Sequence, residues 1–180
     1  MTIPDPSLVL LIGAAGSGKS TFAQRHFRGT EILSSDRCRA LVCGDPNDQS
    51  ATRPAFEVLR CILFRRLRMR RLTVIDATNV RSKARKSLLK MARYYEIPAV
   101  GIVLNLAEHI CVERNLCRKE RCVPPHAIWT QSADLRRSLV QLPREGFRVL
   151  WILNSPEEVD AVRIERLRVT QDESIYRNSY

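Results

Sequence analysis

Gly13-Ala14-Ala15-Gly16-Ser17-Gly18-Lys19-Ser20-Thr21 matches the pattern G-x-x-x-x-G-K-[ST] in full. Glycines at these places let the backbone wrap, so that successive N–H groups point at phosphate oxygens. Lys19 then reaches the β and γ phosphates of a nucleoside triphosphate such as ATP, and the Ser20 hydroxyl is placed to ligate Mg²⁺. The pattern needs a strand before it and a helix after it. Leu8–Ile12 is a continuous apolar run, as a buried parallel strand should be. Ser20 to Phe27 can form a helix whose positive end faces the phosphates. The alternative is a chance glycine-rich turn, and both flanking elements argue against it.

Outward from this loop, strand-like runs alternate with helix-period segments. Glu31–Ser34, Leu72–Asp76 (LTVID), Ala99–Leu104 (AVGIVL) and Phe147–Leu153 (FRVLWIL) read as four further strands. Phe56, Leu59, Ile62, Leu63 and Leu67 recur at helical spacing. Arg81 to Tyr95 is amphipathic, with Leu88, Leu89 and Ala92 inward. The alternation predicts an α/β fold: a mostly parallel five-stranded sheet with helices on both faces. After Leu167 the pattern fades into a polar stretch, so residues 1–168 are expected to form the domain and residues 169–180 a tail or linker.

Composition narrows the partners. The chain has 180 residues, 30 Lys and Arg against 19 Asp and Glu, and a formal charge of +11. Most of the cations are arginine, whose fork binds phosphate oxygens in pairs. A nucleotide or nucleic-acid partner fits, and so does a merely soluble charged surface. No apolar run is long enough to span a bilayer, and Met1 to Pro6 has no basic leader segment. A cytosolic protein with six reduced cysteines is expected. The gaps between Cys111, Cys117 and Cys122 do not suit a zinc ribbon or knuckle. The run Arg65 to Arg71 is read as a solvated helix end, Trp129 and Trp151 as packing residues, and the three histidines have no metal-ligand spacing.

The loop is shared by GTPases, motor ATPases and kinases. There is no N-K-x-D guanine-reading motif, the chain is short for an oligomeric ATPase domain, and a small phosphotransferase fits best. The second strand runs into Ser34-Ser35-Asp36-Arg37-Cys38-Arg39. Ends of strands in an open parallel sheet converge on the ligand crevice. Asp36 there can accept the proton of an attacking hydroxyl, or simply cap the next helix. Arg39, one helix turn on, suits an acceptor that carries its own phosphate. Asp76 takes the place of an acid that holds a water on Mg²⁺ or braces the cradle. Thr78 and Asn79 follow it, either facing the same crevice or serving turn chemistry. Arg114 and Arg118 share a helix face, as a lid clamp on the triphosphate or as a solvated basic helix.

GAAGSGKST, SSDRCR, the loop Asn47-Asp48-Gln49, VIDATN and ERNLCR, in this order and at this spacing, resemble the 5′-polynucleotide kinase module of bacterial polynucleotide kinase-phosphatases. EGFRVLWILNSPEEV resembles the end of that module, and the likeness covers roughly residues 3 to 168. It implies a P-loop kinase fold with a helical lid and transfer of phosphate from ATP or another NTP, with Mg²⁺, to 5′-OH ends of RNA or DNA. It further implies that Lys19 and Ser20 are the cradle's lysine and serine, Asp36 the general base and Arg39 the acceptor-phosphate arginine. Arg114 and Arg118 become the lid arginines, and Gln49 marks the acceptor loop. Phosphatase and ligase modules accompany the kinase in that family and are not in this chain. Val123-Pro124-Pro125 departs from the family, where polar residues are expected. A small-molecule kinase of the gluconate or nucleotide type is the second reading, and an ATP-binding RNA-interaction module the third.

Overall fold

The computed structural model describes residues 1–117 and 123–168. Leu8–Ile12 (β2) is the central strand, preceded by a short strand at Thr2–Asp5 (β1). The loop after β2 leads into helix α1, Lys19–His26. Ile32–Ser34 (β3), Ser35–Cys43 (α2) and Thr52–Arg68 (α3) follow. Thr73–Asp76 is β4, Ser82–Tyr94 is α4 and Ala99–Leu104 is β5. Glu108–Leu116 (α5), Pro125–Leu139 (α6), Val149–Leu153 (β6), Pro156–Ala161 (α7) and Glu165–Arg168 (β7) complete the order.

Five strands form one sheet in the order β3-β4-β2-β5-β6, every neighbouring pair parallel. All five expected strands are present. β4 lies between β2 and β3, so it is the third strand of this sheet, and not the second, that flanks the first. β1 and β7 pair with each other, parallel, as a separate ribbon that the apolar pattern does not reveal.

Alternation along β2 divides the core. Val9 and Leu11 join Phe22, Val74, Ile102 and Ile128 on one face of the sheet. Leu8, Leu10 and Ile12 join Leu59, Leu63, Leu88 and Leu89 on the other. Each buried aliphatic side chain contributes roughly 1.5–3 kcal/mol relative to exposure. The two faces thereby fix α1 on one side and α3 and α4 on the other. α6 contributes Ile128 to the first cluster and Leu135 to the second, so it spans both.

One inward residue of α4 is charged. Arg85 is 0% exposed, and its Nε and Nη2 donate to Glu145 Oε2 and Oε1 at 2.7 and 2.6 Å. Nη1 donates to the Asn79 carbonyl at 2.6 Å. Trp151 packs half-buried against the core, whereas Trp129 is 52% exposed and is no packing residue. No helix among the described residues is long and apolar enough to cross a membrane.

Candidate active site

Residues 13–18 leave β2 and turn back over the N-terminus of α1. Gly16 and Gly18 both have left-handed backbones, φ 82° and 93°, which side-chain-bearing residues adopt at a cost. Gly16 has a second constraint. A Cβ there would overlap the Cys111 carbonyl of α5, so the loop and that helix touch backbone to backbone. Gly13 N donates to Thr78 O at 2.9 Å, fastening the loop to the segment after β4. Lys19 is buried, and its Nζ donates to Ala14 O at 2.7 Å and to Ser17 Oγ at 3.3 Å. Ala15 N donates to Oε1 of Gln131, on α6, at 2.7 Å.

A cavity of about 650 Å³ opens beside the loop. Ala15, Gly16, Lys19 and Ser20 line it, together with Asp36, Arg39, Asp76 and Thr78. Asn47, Gln49, Thr52 and Phe56 line it as well, with Val123, Pro124 and His126. The sequence-derived candidates Lys19, Ser20, Asp36, Arg39 and Gln49 thus share one chamber. Asp76 reaches it because β3 and β4 pair in register, Ser34 beside Asp76.

Asp36 stands in the first turn of α2, and the cap of that helix is Ser34, whose side chain accepts from Arg37 N. The alternative role for Asp36 as helix cap is therefore corrected: Ser34 already occupies that position. Arg39 Nη1 donates to Asp36 Oδ1 at 2.8 Å and to Pro46 O at 2.6 Å. Arg39 is 4% exposed, so its guanidinium is fixed while presenting to the cavity. Gln49 follows Asp48, whose carboxylate accepts from Ser50 N and Ser50 Oγ at 2.8 and 2.6 Å. These hydrogen bonds hold the Asp48 carboxyl below the usual range.

Asn79 is placed differently from the expectation that it contacts the acceptor. Its φ of 48° turns the side chain under β2, where Nδ2 donates to Leu11 O at 2.8 Å. It is buried and does not line the cavity. Thr78, one residue earlier, does.

A smaller cavity of about 290 Å³ lies across the loop, lined by Gly16, Gly18, Thr21, Phe22 and Arg114 with Arg25, Val159 and Asp160. Arg25 donates to Asp160 at 2.7 Å at its edge. Arg114, in the last turn of α5, stands over the loop: its Nη1 is 3.6 Å from where a Cβ on Gly18 would sit. Arg118 lies outside the described residues. So do Arg121 and Cys122 of the same segment. The departure at Val123 to Pro125 has a structural account. Asn115 grips Val123 at both backbone groups, 2.8 and 3.0 Å, and Pro124 and Pro125 then begin α6 as its cap and first residue.

Sequence reasoning missed Phe56 and Gln131 as cavity residues and gave no role to Asn115, although it lies within ERNLCR. Burial pushes the Cys111 thiol up, and Cys38 is raised for the same reason.

Comparison with known proteins agrees with this fold. The model of a family described as an AAA domain matches residues 8–138. No curated protein matches the chain in sequence. Among solved structures, a chain of the Pnkp1/Rnl/Hen1 RNA repair complex superposes with a TM-score of 0.66 at 22% identity, covering 77% of this chain and 47% of that one. A second structure of that complex gives 0.54 at 26% identity, over 64% and 40%. Shikimate kinase from Acinetobacter baumannii, in complex with shikimate, gives 0.50 at 18%, over 86% and 88%. The chain spans less than half the length of the repair-complex chains it matches. The shared architecture is the P-loop kinase fold.

Proposed function

The chain belongs to the AAA domain family, and from its P-loop kinase fold we propose that it transfers the γ-phosphate of ATP or another NTP to the 5′-hydroxyl end of RNA or DNA. The nucleoside of the donor occupies the smaller cavity beside Arg114. Its phosphates run over Gly16 and Gly18 into the larger one, toward Lys19. Ser20 and Asp76 line that chamber together and suit Mg²⁺: a hydroxyl ligand and a carboxylate able to hold a metal-bound water. When bound, the ion supplies charge neutralisation across the phosphates.

The acceptor hydroxyl enters between Lys19 and Asp36. Its oxygen bonds to the γ phosphorus as the bond to the β–γ bridging oxygen breaks, and the nucleoside diphosphate departs. The hydroxyl proton passes to the Asp36 carboxylate. Arg39 orients that carboxylate and offers its fork to the phosphate on the far side of the terminal sugar. Arg114, with Arg118 expected beside it, neutralises charge on the donor.

One observation carries the acceptor assignment. Among the residues that line the cavity with Asp36 and Arg39 are the aromatic Phe56 and the apolar Val123 and Pro124, beside the polar Asn47, Gln49 and Thr52. Phe56 offers a ring on which a nucleobase stacks. The likeness to an RNA repair complex and the net charge of +11 support the same choice and a place in nucleic-acid end repair, with phosphatase and ligase modules as partners. The experiment is transfer of labelled phosphate from ATP to a 5′-OH oligonucleotide, with gluconate and shikimate offered separately. Labelling of the oligonucleotide alone is expected. Labelling of a small acid alone moves the small-molecule kinase reading ahead.

A further inference from the structure

Gln131 lies outside every sequence motif, yet its side chain bonds to the cradle's own backbone. Its Oε1 accepts from Ala15 N at 2.7 Å, across 116 residues. It is half-buried on α6 and lines the larger cavity with Lys19 and Asp36. The two cavities give the donor a direction. Gly18, Thr21 and Arg114 line the smaller, Ala15, Lys19 and Asp36 the larger, and Gly16 lines both. A phosphate chain that starts at the nucleoside in the smaller cavity ends beside Ala15. The Ala15 N–H therefore belongs to the terminal-phosphate end of the cradle. A backbone N–H withdrawn from water needs an acceptor in every state of the site.

We infer that Gln131 is the residue by which this cradle distinguishes a nucleoside triphosphate from a diphosphate. The inference rests on the donor reading above. With a diphosphate bound, the Gln131 oxygen keeps the Ala15 N–H. With a triphosphate bound, a terminal phosphate oxygen takes that place, and the carboxamide moves off. The proton stays on the Ala15 nitrogen throughout; only the acceptor changes. The phosphate bond is charge-assisted and the stronger of the two, but it forms only by displacing a neutral bond already made. When the terminal phosphate leaves for the acceptor, Gln131 closes on Ala15 again, and the diphosphate sits in a cradle whose N–H is already satisfied. Gln131 is carried on α6 with His126 and Ala127, which line the same cavity.

The test is calorimetric binding, at fixed Mg²⁺, of ADP and of a non-transferable ATP analogue with an imide bridge between the β and γ phosphorus atoms. Wild type, Gln131→Leu and Gln131→Glu are compared. Removing the competing acceptor helps only the triphosphate. Gln131→Leu is expected to raise the triphosphate-over-diphosphate affinity ratio about fivefold, the worth of one net amide hydrogen bond. Gln131→Glu sets a carboxylate against the terminal phosphate and is expected to lower the ratio about tenfold or more. A ratio within twofold of wild type in Gln131→Leu overturns the inference, as does equal weakening of both nucleotides, which is what a mere packing brace gives. If Gln131→Leu fails to fold, the isosteric Gln131→Glu decides by the same ratio. A wild type that binds neither nucleotide overturns the donor reading and this inference with it. One that binds both, with the ratio unmoved in the variants, overturns this inference alone.

Discussion

Arg85 and Glu145 meet through two hydrogen bonds of 2.7 and 2.6 Å, 60 residues apart in the chain, and the arginine has no exposed surface. The pair joins α4 to the segment before β6. Through the Asn79 carbonyl it also reaches the loop whose Thr78 oxygen anchors Gly13. Arg85→Ala leaves a nearly buried carboxylate without its partner and is expected to cost about 3–5 kcal/mol of stability. Replacing both residues with apolar ones of similar size is expected to recover most of that loss. Denaturant unfolding of the single and double variants measures it, and equal stabilities for wild type and Arg85→Ala would refute a structural role.

Asp36→Asn keeps the size of the side chain and loses the proton acceptor. Donor binding is expected to persist while transfer falls by about 10²–10⁴-fold. Calorimetry with ATP and labelled transfer to a 5′-OH oligonucleotide separate the two effects. Arg39→Ala is expected to bind ATP like wild type and to lose its advantage for a nucleoside 3′-phosphate over the plain nucleoside. Equal losses on both acceptors would leave Arg39 as an orienter of Asp36 only.

Arg114 overhangs the loop at Gly18, and Arg114→Ala is expected to depress turnover by about three orders of magnitude, the scale of a charge-neutralising arginine in phosphoryl transfer. Single-turnover kinetics with saturating donor are the measurement. A silent variant would return this helix to the role of a solvated basic surface.

Gly16→Ala meets the Cys111 carbonyl in a backbone conformation that already costs an alanine about 1–3 kcal/mol. Loss of nucleotide binding and a lowered melting temperature are expected together. Gly29→Ala is the control, because nothing stands within 4 Å of a Cβ there. Similar behaviour of the two variants would show that α5 gives way easily.

Acid stability has an identifiable contributor. Arg81 and Arg137 donate to the two oxygens of Asp134 at 2.6 Å each, and the Arg81 hydrogen bond, more than the Arg137 bond, holds the Asp134 carboxyl below the usual range. A carboxylate depressed in the folded state adds stability that is fully present above its unfolded pKa of about 3.9. That stability is lost as pH falls through the folded value. Wild type is therefore expected to lose stability below about pH 4 more steeply than Asp134→Asn. Thermal unfolding across pH 7 to 2.5 compares the slopes, and parallel curves would count against the pair.

What could be read from the chain alone was local. β2 and β5 announce themselves because strands covered on both faces are continuous apolar runs. The cradle announces itself because wrapping a phosphate demands glycines at fixed places. β1 and β7 are four-residue strands that, among the described residues, pair only with each other, and Glu165–Arg168 is exposed along its length, so no hydrophobic period marks it. Arg85 looks like a solvent-facing residue of an amphipathic helix until Glu145 is placed against it. Gln131 is an ordinary helix residue by sequence, and its work depends on Ala15, a position that only the folded chain brings near, while Asn115 lies within ERNLCR but its hold on Val123 is not written in that motif. Asn79 carries turn chemistry as readily as ligand chemistry, and the folded chain gives it a left-handed backbone and sets its Nδ2 against the Leu11 carbonyl.

The parallel order β3-β4-β2-β5-β6 also sets a timetable. Leu8 pairs with Thr73 on one side and Ala99 on the other. During synthesis at about 5–20 residues per second, the five apolar residues of β2 wait roughly 3–13 s for their first neighbour and roughly 5–18 s for their second. Among the described residues, no shorter-range strand pairs with them in the finished sheet. For those seconds the most insoluble stretch of the sheet is an unpaired edge on both sides, and its protection falls to whatever meets the nascent chain.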